Sequence, residues 1–275
     1  GQRENVPGSD VVGLDQVRDA HCQHPRLAAT RTGDNQERAV HRGDGLALFF
    51  IEWGEQFGKH FDTYIQDVRG RGLSEAAEGM DYSLDAQADD LIALAQALGL
   101  KDYIVVGHSM GARIGLRAAH KNSDGLNRLV MVDPPVSGPG RRAYPSKLPW
   151  YVDSMAMARK GCTADDMRAF CPTWTEEQLQ LRAQWLHTCH EPAILASFEG
   201  FHTDDIHVDF PHLKVPALLM TAERGDVVRD EDVAEIQQLA SGVQHVRVPN
   251  AGHMIPWDRL DAFVSAVQGF LGGRP

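Results

Sequence analysis

Cysteine is scarce and scattered: Cys22, Cys162, Cys171 and Cys189 form no C-x-x-C pair. That spacing excludes a disulfide framework and points to reduced thiols, hence a cytoplasmic protein. Long apolar runs are missing too. No stretch approaches the ~18 residues that span a bilayer, and no signal-peptide pattern is visible, so no membrane partner is expected. Positive charge is in deficit, with 27 Lys and Arg against 38 Asp and Glu and a formal net charge of −11. The balance argues against nucleic acid as a partner, while leaving room for a local cationic pocket that holds a small anionic substrate. Histidine is plentiful, and His187-Thr188-Cys189-His190 offers two ligand types about one helical turn apart. No second pair at zinc-site spacing accompanies it, so neither a metal nor a cofactor is expected. With 43% hydrophobic residues in 275, the chain can bury one large core and carry an insertion. Oligomeric state leaves no mark in the sequence.

What is present is the pentapeptide Gly107-His108-Ser109-Met110-Gly111. The β-branched run Tyr103-Ile104-Val105-Val106 before it reads as a buried strand, and Ile114 and Ala118 after it share a helical face. A serine flanked by glycines on a strand-to-helix turn is the nucleophile-elbow pattern G-x-S-x-G. The tight turn requires small residues at both glycine positions. The Met110 backbone N–H, at the start of the helix, is the predicted oxyanion donor.

Around the elbow, strands and helices alternate as in an α/β fold with a mostly parallel sheet. Strands are predicted at Thr63–Asp67, Leu129–Val132, Pro216–Met220 and Gln244–Val248. Helices are predicted from the N-cap Ser83 to Leu98, with Leu91, Ala95 and Leu98 on one face, and from Trp257 to Leu271. Residues 136–208 contain no strand signal and gather Trp150, Tyr151, Trp174, Trp185 and Phe198; they read as a helical cap between core segments 55–135 and 209–275. Residues 1–54 do not fit this scheme. They lack the strands and glycine loop that such a sheet needs, and Leu46 to Gly58 reads better as a helix than as a strand. The expectation is a frame-shifted or otherwise faulty translation up to about residue 54, leaving a gap between the strands at Thr63 and Tyr103.

A serine nucleophile needs a base and a group that orients the base. His253, in Asn250-Ala251-Gly252-His253-Met254, follows a late strand and suits the order Ser, acid, His. Two acids qualify by spacing. Asp226 follows the strand after the cap, one residue later than the usual acid position, which falls on Gly225. Asp133 ends the strand after the elbow unit and also faces the carboxyl edge of the sheet.

From Glu55 onward the chain resembles the N-formylmaleamate deformylases, α/β-hydrolases of bacterial nicotinic acid degradation. The matching stretches are Phe61-Asp62-Thr63-Tyr64, Asp67 to Ser74, Gly107 to Arg113, Val132 to Ser146, Trp185-Leu186-His187-Thr188-Cys189 and Asn250 to Trp257. The resemblance implies an α/β-hydrolase fold, a triad of Ser109, Asp133 and His253, and deformylation to maleamate and formate. Such a substrate carries a carboxylate, for which Arg141 and Arg142 are the candidate cations, with Arg113 and Arg117 behind them. The alternatives are another small-acyl or ester hydrolase of aromatic ring degradation and a non-catalytic ligand binder on the same scaffold.

Overall fold

The computed structural model describes Ala29–Thr32, Phe57 and residues 61–272. Its centre is a four-stranded parallel sheet in the order β3-β4-β5-β6. The strands are β3 (Tyr103–His108), β4 (Leu126–Val132), β5 (Ala217–Ala222) and β6 (Val243–Val248). In β4, Leu129 and Met131 join one apolar cluster while Val130 and Val132 join another on the opposite face. The same division holds in β5, with Ala217 and Leu219 against Leu218 and Met220. Continuous apolar runs are what a sheet covered on both faces demands, because side chains alternate between two buried sides.

Two helices on the first face, α1 (Leu84–Ala97) and α2 (Met110–Lys121), pack against each other. Ser83 caps α1 as expected, its Oγ accepting from the Ala86 N–H. The predicted face turns inward, with Ala95 buried and Leu91 half-buried against the core, and Gln87 and Asp90 are buried as well. Asp90 is there for an electrostatic reason. The Asp90 carboxylate takes two bonds from the Arg69 guanidinium at 2.5 and 2.6 Å, and Arg69 also donates to the Asp81 carbonyl. This buried pair fastens the loop after β2 (Thr63–Gln66) to α1. Removing one partner would strand a buried charge, so Asp90→Ala should cost about 3–5 kcal/mol. Urea denaturation checks this figure.

Between β4 and β5 the chain is helical, with α3 (Leu148–Arg159), α4 (Ala164–Arg168), α5 (Glu176–Trp185) and α6 (Glu191–Thr203). Thr163 and Thr175 begin α4 and α5 with reciprocal capping boxes. After β5 comes α7 (Asp230–Leu239). The predicted C-terminal helix is two helices, α8 (Ile255–Asp258) and α9 (Leu260–Phe270), broken at Arg259, whose φ of −147° is not helical. Phe263 and Val267 of α9 cover the second face of the sheet.

The strand β2 pairs antiparallel with β1 (Ala29–Thr32) and is not bonded to β3. Sequence patterning gave no strand at Ala29–Thr32, because its residues Ala, Thr, Arg and Thr carry no apolar signal. The remainder of the anomalous segment 1–54, including the Leu46 to Gly58 helix apart from Phe57, lies outside the described residues. Among the described residues no strand pairs with the edge of β3 away from β4.

Candidate active site

The strand β3 delivers Ser109 onto the turn into α2 at φ 54° and ψ −117°, the left-handed side of backbone space. Such a conformation costs on the order of 1–3 kcal/mol and persists only where surrounding structure enforces it. Here the Ser109 N–H bonds to the Val132 carbonyl at 2.8 Å. A Cβ on Gly107 would stand 2.3 Å from the Gly111 carbonyl oxygen, so that glycine is obligatory. Gly111 differs from the expectation: a Cβ there meets nothing within 4 Å. The close approach of α2 to the sheet instead falls on Gly115, where a Cβ would lie 2.9 Å from Leu129 and 3.0 Å from Val105.

Residues from three separate loops converge on this serine. His253 Nε2 lies 3.0 Å from Ser109 Oγ, and His253 Nδ1 lies 2.7 Å from Asp133 Oδ2. Asp133 is fully buried, and its other oxygen accepts from the Ala222 N–H at 3.3 Å. Its own backbone takes φ 47°, which turns the carboxylate across the end of β5. The two acids left open by spacing are thus placed differently. Asp226 is exposed and paired with Arg229 at 2.6 Å. Gly225, at the usual acid position, lies next to Asp133: a Cβ there would stand in ordinary contact with Asp133 Oδ2 at 3.6 Å.

His108 packs against His253. Its Nε2–H donates to the His253 carbonyl at 2.8 Å, and its ring lies against those of His253 and Trp257. Burial, with the neighbouring His253 ring behind it, pushes its pKa down to about 3. The ring is therefore neutral, so it places no competing charge beside His253. A histidine depressed in the folded state stabilises the fold fully above its unfolded pKa near 6.5 and loses that contribution as pH falls toward 3. Stability should fall across this window with a slope of up to about 1.4 kcal/mol per pH unit from this group. His108→Gln should remove that slope, as read by denaturation at a series of pH values.

Tyr144 completes the immediate surroundings. Its hydroxyl acts electrostatically with the Ser109 side chain and lies 3.3 Å from the Tyr151 hydroxyl. Burial raises its pKa well above the usual phenol value, so it remains a donor. The site opens into a cavity that continues along β3, walled at the Ser109 end by Tyr144, Tyr151, Phe198, Trp174 and Trp257.

None of the four arginines named as candidate carboxylate ligands lines this cavity. Arg141 and Arg142 are held by Glu235 and Asp232 at 2.8 and 2.6 Å. Arg117 is bound to Asp209, and Arg113 donates to the carbonyls of Pro135, Ser137, Gly200 and Asp204. That clamp ties α2 to the end of α6. The arginines that do line the cavity, Arg71, Arg128 and Arg182, gave no signal by spacing. Arg71 occupies an inner position of the Asp67 to Ser74 run, and Arg182 stands in an otherwise unmarked helix. Among the described residues no group of His, Cys, Asp and Glu could hold a metal ion, and no helix is long and apolar enough to cross a membrane.

A strained serine on a strand-to-helix turn, with a histidine and a buried aspartate in series behind it, belongs to the scaffold whose family model, the α/β hydrolase fold, matches residues 42–260. The chain belongs to the α/β-hydrolase family. Within that family it is 58% identical, over 230 residues, to N-formylmaleamate deformylase of Pseudomonas putida, covering 82% of this chain and 86% of the relative. The crystal structure of a Ser-to-Ala variant of the N-formylmaleamic acid deformylase Nfo from Pseudomonas putida S16 superposes with a TM-score of 0.81 at 48% identity. That match covers 88% of this chain and 96% of the other. E-2-(acetamidomethylene)succinate hydrolase, 20% identical at a TM-score of 0.69, shares the fold, covering 89% of this chain and 94% of its own. The family match begins ahead of Glu55, where the sequence resemblance was first legible.

Proposed function

We propose that this α/β-hydrolase is an N-formylmaleamate deformylase, cleaving the formyl C–N bond to give formate and maleamate. The observation that carries the substrate is the 58% identity to such a deformylase across most of both chains. The chemistry rests on Ser109, His253 and Asp133 standing in hydrogen-bonded series.

Asp133 accepts from Nδ1–H of His253, which leaves Nε2 as the bare nitrogen facing the Ser109 hydroxyl. As Oγ attacks the formyl carbon, its proton passes to Nε2, and Asp133 stabilises the resulting imidazolium. The oxyanion faces the start of α2, where the Met110 N–H has no intrahelical acceptor and the helix dipole favours negative charge. The Tyr144 hydroxyl, held protonated beside Ser109, is a second donor at the reaction centre. Collapse of the tetrahedral species breaks the C–N bond, and the imidazolium gives its proton to the leaving nitrogen. The leaving group is the amide nitrogen of maleamate, whose adjacent carbonyl delocalises the developing charge, so it departs more easily than an alkylamine. Water then attacks the formyl-Ser109 ester, with His253 taking its proton and returning one to Oγ as formate leaves.

The test is an assay of formate and maleamate release from N-formylmaleamate, run beside a panel of small esters. Stoichiometric release of both products, with turnover exceeding that of the esters, is the expected result. Ester turnover without formate release would replace this function with a carboxylesterase.

A further inference from the structure

Two guanidiniums in the cavity wall have no carboxylate partner. Arg71 is 4% exposed, and its bonds run to neutral groups: the Arg69 carbonyl at 3.2 Å, Ser197 Oγ at 2.9 Å and Met110 Sδ at 3.4 Å. Arg182 lies with its guanidinium over the Trp150 and Trp174 rings, at 4.7 and 5.6 Å from their centroids. It makes one bond, to Ser154 Oγ at 3.3 Å, and its Nε is buried without a partner. By contrast Arg69, Arg117, Arg141 and Arg142 are each paired with an acid. A third guanidinium on the wall, Arg128, sits at the opposite, amino-terminal end of β4, bonded to Asn127 and over the Phe270 ring.

Arg71 and Arg182 also share a neighbourhood. Both act electrostatically on the buried Cys189 thiol. Arg71 touches the side chain of Met110, the residue after the nucleophile, and Ser154 links Arg182 to the carbonyl of Tyr151, whose hydroxyl meets Tyr144. Two desolvated cations on one cavity wall have lost their hydration, a cost that a single anion reaching both offsets. A carboxylate has two oxygens with about four lone-pair sites, enough to accept from both guanidiniums at once.

We propose that Arg71 and Arg182 form an anion subsite that takes the carboxylate of the substrate, Arg71 from the loop after β2 and Arg182 from cap helix α5. The proposal deepens the deformylase reading and rests on it. Holding the carboxylate away from Ser109 leaves the formyl end to reach the nucleophile. It also divides recognition between core and cap, so the substrate itself bridges the two.

The test compares N-formylmaleamate with its analogue in which the carboxylate is replaced by a carboxamide. Wild-type protein should prefer the carboxylate by roughly 100-fold or more in kcat/KM. Arg71→Gln and Arg182→Gln should each reduce that preference by about 10-fold or more, the range of a charge-assisted hydrogen bond. Arg182→Lys, which keeps the charge, should retain most of it. A preference left intact in both Gln variants, or an equal loss on both substrates, overturns the subsite. Calorimetric binding of maleamate against maleamide judges the subsite independently of turnover. Maleamate should bind at least about 10-fold tighter to wild type, and not to the Gln variants; equal binding of the two by wild type overturns it. Wild-type protein that releases no formate yet discriminates the two ligands would instead remove the deformylase reading alone.

Discussion

Replacing Ser109 with Ala will abolish formate release, lowering kcat by about 10⁴-fold or more, the scale seen when the nucleophile of such a unit is removed. The expectation follows from how little else in the cavity could attack. Cys189 and Cys171 are buried, and burial raises the pKa of both thiols, which keeps them as poor nucleophiles. Ser154 and Ser197 lie on the wall, but their hydroxyls donate to the carbonyls of Tyr151 and Ala193 and neither faces a base. Ser109 alone combines a strained, projecting backbone with an imidazole nitrogen at 3.0 Å. The variant should fold normally, because the Ser109 backbone holds the turn and its side chain makes no cap to α2. Steady-state formate release, with circular dichroism as the control for folding, checks it.

Replacing Asp133 with Asn should lower kcat by about 10⁴-fold, whereas Asp226→Asn should leave it within about two-fold. An amide at position 133 presents either an oxygen or an NH₂ to His253 Nδ1. The NH₂ face forces the proton onto Nε2, where it blocks acceptance from Ser109, and neither face stabilises an imidazolium as a carboxylate does. Asp133 is fully buried, so no water can substitute for the missing charge. Asp226 lies in an exposed pair with Arg229, for which surface screening leaves little at stake. Parallel kcat measurements on the two variants separate the acids that sequence spacing left undecided.

The contrast between those two acids shows where sequence reasoning stops. The elbow was legible because a strand, a serine between glycines and a helix are all local signals. His253 followed from its place after a late strand. The acid did not, since both candidates end strands at the same edge of the sheet. What separates them is the turn at Asp133 with positive φ, which brings its carboxylate to His253, and neither the turn nor the contact is written in spacing. The strands β4, β5 and β6 were readable from their apolar residues, though β4 and β6 begin before their predicted starts and β5 runs past its predicted end. The antiparallel pair of β1 with β2 was not, because a polar four-residue strand carries no period-two pattern. The burial of Asp90 on α1 was not legible for a similar reason: it is there for Arg69, an interaction across 21 residues that no helical periodicity announces. Arginine proved hardest of all. Those beside the cap loop drew attention by position and turned out to be paired with acids, while Arg71 and Arg182 were passed over.

The central claim is that the reaction passes through a formyl ester on Ser109, and product partitioning tests it most directly. N-formylmaleamate and a formyl ester of a phenol are each hydrolysed in the presence of methanol, and methyl formate and formate are quantified. If both donors form the same formyl-Ser109 species, the ratio of methyl formate to formate is the same for both, since the leaving group has gone before the acceptor chooses. A ratio that differs between the two donors would mean that acceptors attack the bound substrate directly, and would contradict the account.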